Sequence, residues 1–176
     1  MNVLKTRVAA PNLALDTLNG PWSLSDQTPE NFTMLVFYRG LHCPICLKYL
    51  TELESSLQSF SDAGVNTIAI SSDTEERAQK TAEKSKLENL TLAYGLTVEQ
   101  AQEWGLHRSA GKGKTSIGIE EPDEFSEPGL FLVKPDNTLY WSSISTMPFA
   151  RPNVAEILGA VKWVTDNDYP ARGELV

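Results

Sequence analysis

A layered α/β domain is predicted by two features of the sequence. Strand-like and helix-like segments alternate along the chain, and an apolar strand runs directly into a helix through Cys43-Pro44-Ile45-Cys46. The 176 residues are enough to bury a core in one domain, expected to span 1–176, and no internal repeat or low-complexity tract interrupts them.

Thr33 to Tyr38 (TMLVFY) reads as a buried strand. Cys43 to Phe60 reads as a helix, because Cys46, Leu50, Leu53, Leu57 and Phe60 recur at steps of four and three. Gly64 stops it, and Val65 to Ile70 makes the next strand. Asp73 with Glu76 has the spacing of a capping box, opening a surface helix to about Lys86. Leu90 to Leu92 reads as a short strand. Thr97 and Gln100 repeat the capping signature, with Ala101 and Trp104 facing inward before Gly105. Leu106 to Glu127 is the least regular stretch, of a length that in compact domains is usually functional or mobile. Gly129 to Val133 and Thr138 to Ser143 flank Lys134-Pro135-Asp136-Asn137, where proline at the second turn position predicts a β-hairpin. Asn153 with Glu156 caps a last helix, with Val154, Ile157, Leu158, Val161 and Val164 inside.

Composition narrows the function. A formal net charge of -8 argues against a nucleic-acid partner. No apolar run approaches the roughly 20 residues of a membrane helix. Lys5, Thr6 and Arg7 interrupt the N-terminus too early for a signal peptide, so the expected compartment is the cytoplasm. Only two cysteines occur, three residues apart. In a reducing compartment such a pair points to catalysis more than to scaffolding. Zinc would need further ligands, and only His42 and His107 are on offer; no metal or other cofactor is expected. Gly113-Lys114-Thr115 imitates the end of a phosphate-binding loop, but Arg108 occupies the leading glycine position.

The placement of the dithiol carries chemistry. A cysteine at a helix N-terminus faces unsatisfied N–H groups and the positive end of the helix dipole, which stabilise its thiolate. Pro44 suits the first turn, and Cys46 lies on the same face, within reach of a short disulfide. His42 is a candidate source of positive charge beside the sulfurs.

Val36 to Leu50 (VFYRGLHCPICLKYL) resembles the active-site segment of the alkyl hydroperoxide reductase/thiol-specific antioxidant (AhpC/TSA) family, the peroxiredoxin-like group of thioredoxin-fold proteins. Ala10-Pro11-Asn12-Leu13 and Trp22-Ser23-Leu24 resemble that family's N-terminal β-hairpin. Glu127 to Val133 with Pro135-Asp136 resembles its penultimate strand and turn. The resemblance implies a thioredoxin-like fold: a central mixed sheet flanked by helices, with an N-terminal β-hairpin extension. It also implies an antioxidant role, and a homodimer among the expected states.

Peroxiredoxins read P-x-x-x-T-x-x-C at this point. Here Arg39 stands at the proline, Cys43 at the threonine and Cys46 at the peroxide-attacking cysteine, while Pro128 stands where an arginine would align. Arg39 or Arg151 would have to take over that arginine's work. Thioredoxin-like reductases instead attack with the first cysteine of C-x-x-C, and Pro128 matches their cis-proline facing the dithiol. Their buried carboxylate, however, is replaced by Phe37. The leading expectation is therefore a disulfide reductase, with Cys43 attacking, Cys46 resolving, and thioredoxin or glutathione as reductant. Pro128, Arg39, His42 and Arg151 are the candidate substrate-binding residues. A peroxidase using Cys46 is the alternative, and a redox sensor moving Gly118 to Glu127 is a third reading. Thr146 to Pro152 is expected at the active-site rim. Tyr169-Pro170-Ala171-Arg172-Gly173 has no evident role.

Overall fold

The computed structural model describes residues 4–175; the outermost residues of the expected domain, 1–3 and 176, lie outside the described residues. A seven-stranded mixed sheet is built from β1 (Ala14–Thr17), β2 (Gly20–Ser23), β3 (Phe32–Phe37), β4 (Val65–Ile70), β5 (Thr91–Tyr94), β8 (Gly129–Val133) and β9 (Leu139–Ile144). Their order is β2-β1-β5-β4-β3-β8-β9, and a separate ribbon pairs β6 (Arg108–Ala110) with β7 (Glu124–Ser126). β3, β4 and β5 run parallel, and β8 pairs antiparallel with β3.

Every residue of β3 is buried, as expected of a central strand covered on both faces. Met34, Val36 and Tyr38 face one core with Tyr49, Leu50 and Leu53 of α1 (Pro44–Asp62) and Ile157 and Val161 of α4 (Val154–Asp166). Leu35 and Phe37 face the other, where Trp104, fully buried, packs against Phe37 and Phe131. Trp104 caps α3 (Val98–Glu103) at its C-terminal end. This is the thioredoxin-like arrangement: a mixed sheet with helices on both faces and an N-terminal β-hairpin.

Several boundaries differ from the sequence reading. The central strand starts and ends one residue earlier, and the short strand is β5, at Thr91–Tyr94. The helix expected from Cys43 begins at Pro44, with Cys43 as its N-cap, and the hairpin's second strand is Leu139–Ile144. α2 (Glu75–Ser85) is capped by Thr74, whose hydroxyl accepts from the Arg77 N–H, so Asp73 is not the cap. Its inner face consists of the small residues Ala78, Thr81 and Ser85, in keeping with the thin apolar face. The irregular stretch 106–127 contains the β6–β7 ribbon, too short to leave a periodic signature.

Other local signals hold. Thr97 and Gln100 form both halves of a capping box. Replacing Thr97 by alanine is expected to lower stability by about 1 kcal/mol, readable as a fall in the urea midpoint without a change in slope. The Lys134–Asn137 turn closes with the Asn137 N–H donating to Lys134 O at 2.9 Å. Asn153 caps α4 by accepting from Ala155 N and Glu156 N. The segment Tyr169–Gly173 acquires a role: Arg7 Nε and Nη2 both donate to Ala171 O, at 2.9 and 2.6 Å, stapling the C-terminal arm to the N-terminal segment.

Candidate functional site

The dithiol sits where β3 hands over to α1. Tyr38 N–H donates to Ile70 O, extending the sheet to the edge of the turn. Gly40 adopts φ +133, a conformation that favours glycine. Cys43 N–H then donates to Gly40 O at 3.1 Å, and α1 begins. Cys43 is extended (φ -99, ψ 99), and its Sγ accepts the Cys46 N–H at 3.2 Å. The first cysteine thus occupies the position in which a side-chain acceptor satisfies an orphan helical N–H.

Both cysteines are free thiols and both are buried, Cys43 at 3% exposure and Cys46 at 0%. Their acidities separate. Cys43 lies below the ordinary thiol range, because the Cys46 thiol and backbone N–H both donate to it and Arg39 and Arg151 add positive charge. Cys46 lies well above that range, because burial penalises its thiolate, its thiol proton is held in a hydrogen bond to the Cys43 sulfur, and a second negative charge beside Cys43 is unfavourable.

The expected flanking residues divide. Arg39 forms a two-pronged ion pair with the buried Glu127: Nε to Oε2 at 2.7 Å and Nη2 to Oε1 at 2.8 Å. Burial works against its cation, and the Glu127 contacts outweigh that, leaving its pKa raised. Ser109 also donates to Glu127, and Arg39 lies over the Phe125 ring, 5.4 Å from the centroid. Arg151 lies over Tyr49 at 4.1 Å, and its Nε and Nη2 are buried without a hydrogen-bond partner. Tyr49 itself, pushed up to about 12 by burial, donates to Pro152 O at 2.9 Å.

Two expectations fail here. His42 does not bring positive charge: it is 1% exposed, and burial lowers its pKa, so the ring stays neutral near pH 7. Arg77 Nη2 meets its Nδ1 at 3.3 Å, and its ring packs on Phe125 at 4.6 Å. The positive charge at the sulfurs comes from Arg39 and Arg151 instead. Pro128 is not a cis-proline, as the described residues contain no cis peptide bond. It is buried, and its carbonyl accepts from Ser145 N at 3.0 Å. Pro128, Tyr49, Arg151 and Pro152 line one narrow cleft.

The segment 146–152 lies beside the N-terminal turn of α1, where Ile45, Tyr49, Phe149 and Arg151 line a shared groove. Ile45, Met147 and Phe149 are exposed there. The sequence reading missed Asp73, Arg77 and Glu127. Asp73 and Arg77 had a usable signal, an acid and a base four apart at the start of a helix. Glu127 had none, since its partner is 88 positions away. Among the described residues no cluster of metal-ligating side chains occurs, and no helix is long and apolar enough to cross a membrane.

A paired dithiol at the strand-to-helix turn of this fold defines a class, the thiol-dependent oxidoreductases of the thioredoxin superfamily. Residues 6–142 match the model of the AhpC/TSA family, and the chain belongs to that family. No curated protein matches the sequence. Solved structures resemble it in fold. Peroxidoxin BcpB from Mycobacterium tuberculosis is 19% identical with a TM-score of 0.71, over 92% of this chain and 99% of that one. Mycobacterium bovis AhpC is 16% identical with a TM-score of 0.74, over 100% of each chain. A peroxiredoxin-like protein from Aquifex aeolicus is 15% identical with a TM-score of 0.71, over 93% of this chain and 90% of that one.

Proposed function

We propose that the chain is a dithiol peroxidase in which Cys43, not Cys46, attacks a small hydroperoxide. The observation that carries this reading is the split in acidity across the pair, together with the two buried guanidinium nitrogens of Arg151, Nε and Nη2, that have no hydrogen-bond partner. The Cys43 thiolate attacks the terminal peroxide oxygen; an S–O bond forms, the O–O bond breaks, and the leaving alkoxide takes a proton to give the alcohol. Arg151 supplies N–H groups to the negative charge that builds on oxygen. Cys46 then attacks the Cys43 sulfenic acid, releasing water and closing the disulfide, and an external dithiol such as thioredoxin, or glutathione, restores both thiols. The burial of both sulfurs favours a small oxidant over a bulky disulfide.

Disulfide reduction remains the second reading, because an acidic first cysteine and a buried second one also suit a reductase. In either case the unit is a single domain over 1–176, working in the cytoplasm and able to pair as a homodimer.

The test is single-turnover mixing of the reduced protein with hydrogen peroxide and cumene hydroperoxide, with thiols counted. Both thiols should disappear within the peroxide phase, with a rate that rises with pH and levels off once Cys43 is ionised, below the ordinary thiol range. Replacing Arg151 by methionine should slow the step by about tenfold to a hundredfold. Slow peroxide loss alongside rapid Cys43-dependent reduction of a disulfide would establish the reductase instead.

A further inference from the structure

We infer that Asp73, in the turn between β4 and α2, is a positioning residue that holds the dithiol turn in its reactive shape. Its carboxylate is fully buried, yet it belongs neither to the dithiol nor to the helix cap. Oδ2 accepts the Leu41 N–H at 2.7 Å, and Oδ1 accepts Arg77 Nε at 2.6 Å. The Asp73 carbonyl accepts from Gly95 N at 2.8 Å, so its own backbone is tied to the loop after β5.

Leu41 is inside the turn that ends at Cys43. Gly40 O accepts the Cys43 N–H, and between them only Leu41 and His42 intervene. Once Cys43 is an N-cap, its Sγ is aimed at the Cys46 N–H, 3.2 Å away. Leu41 N–H points out of this turn and would otherwise be an unpaired buried donor. The carboxylate fills that need with a charge-assisted bond, stronger than a neutral one. Gly40 reports the closeness of the fit. A Cβ there would lie 2.6 Å from Asp73 Oδ2, so carboxylate and turn are in contact with no room for a side chain.

Arg77 extends the same support to His42. An arginine can only donate, so His42 Nδ1 accepts and the ring proton is on Nε2. Asp73 therefore holds Leu41 directly and His42 through Arg77, the two residues that fix the approach to Cys43. The charges that most lower Cys43 are Arg39 and Arg151. Asp73 instead reaches the residues before Cys43 through its bonds to Leu41 and, by way of Arg77, to His42.

The inference rests on Cys43 being the attacking thiol. Its test uses iodoacetamide, so it stands apart from any result with peroxide. The reduced full-length protein is alkylated across a pH series, and the Cys43 adduct is followed by peptide mass spectrometry. Asp73→Ala should move the midpoint of the Cys43 profile upward and slow alkylation at pH 7 by about tenfold. Asp73→Asn, which keeps an oxygen for Leu41, should return the rate to within about threefold of the parent. A merely structural carboxylate would lower the melting temperature of the alanine variant and leave the midpoint where it was. A folded Asp73→Ala protein with an unmoved midpoint overturns the inference. Should that variant not fold, Asp73→Glu decides. It keeps the charge beside Arg77 but sets the carboxylate one methylene out of register with Leu41, and an unmoved midpoint there has the same meaning. Failure of the peroxidase reading would show instead as a parent protein inert to peroxide with its Cys43 midpoint still low.

Discussion

Replacing Cys43 by serine is expected to abolish peroxide consumption, a fall of at least about a thousandfold, because a serine hydroxyl is not ionised near neutral pH. Nothing else at the site compensates. Cys46 is fully buried and lies well above the ordinary thiol range. Replacing Cys46 by serine should have the opposite character. One equivalent of peroxide is still consumed, a sulfenic acid builds up on Cys43 in the absence of reductant, and turnover with a dithiol reductant slows, because that reductant must now attack a buried sulfenic acid directly. Trapping with dimedone followed by mass spectrometry reads both outcomes, since only the Cys46→Ser protein should carry an adduct on Cys43. If Cys43→Ser keeps its rate while Cys46→Ser is inert, the roles of the two cysteines are reversed.

Arg39→Met is expected to destabilise the protein by about 3 kcal/mol, the second-largest effect. It leaves the Glu127 carboxylate buried without its cation, and an uncompensated buried charge costs far more than a lost surface pair. Arg39 retains some exposure, which lowers the figure from the upper end of the range for fully buried pairs. The double variant Arg39→Met/Glu127→Gln should recover much of the loss, because the neutral amide can still hydrogen-bond Ser109. Urea unfolding of the four proteins of this double-mutant cycle measures it. Additive losses would show that the pair is energetically inert. The same pair ties the β6–β7 ribbon to the dithiol turn, and Phe125 of that ribbon packs against both His42 and Arg39. The ribbon is therefore part of the wall of the site.

Much of the fold was legible because it is written in short-range chemistry. Alternation of apolar segments, the Thr97–Gln100 capping box, the proline turn at 134–137 and the Asn153 cap each depend on residues within a few positions of one another. The Cys43/Cys46 dithiol was legible for the same reason, since its helix-start position follows from the strand before it and the apolar repeat after it. Asp73 shows the limit of this kind of reading. With Glu76 it has the spacing of a capping box, yet the neighbouring Thr74 takes the cap. The carboxylate is drawn away by Leu41, 32 positions distant, an interaction no local pattern encodes.

By itself, then, the sequence determined the class of fold, the order of its elements and the two sulfur atoms on which the chemistry turns. Only the tertiary structure decided which sulfur is the more acidic, and the reason is environmental: burial raises Cys46, while donated hydrogen bonds and two arginines lower Cys43. It also decided which charges serve the site. Arg39 is anchored by Glu127 beside the dithiol, Arg151 keeps unpaired donors, burial disfavours the charged form of His42, and the Pro128 carbonyl accepts from Ser145. Each of these outcomes depends on what chain folding brings within a few ångströms, and residue identity alone does not specify that distance.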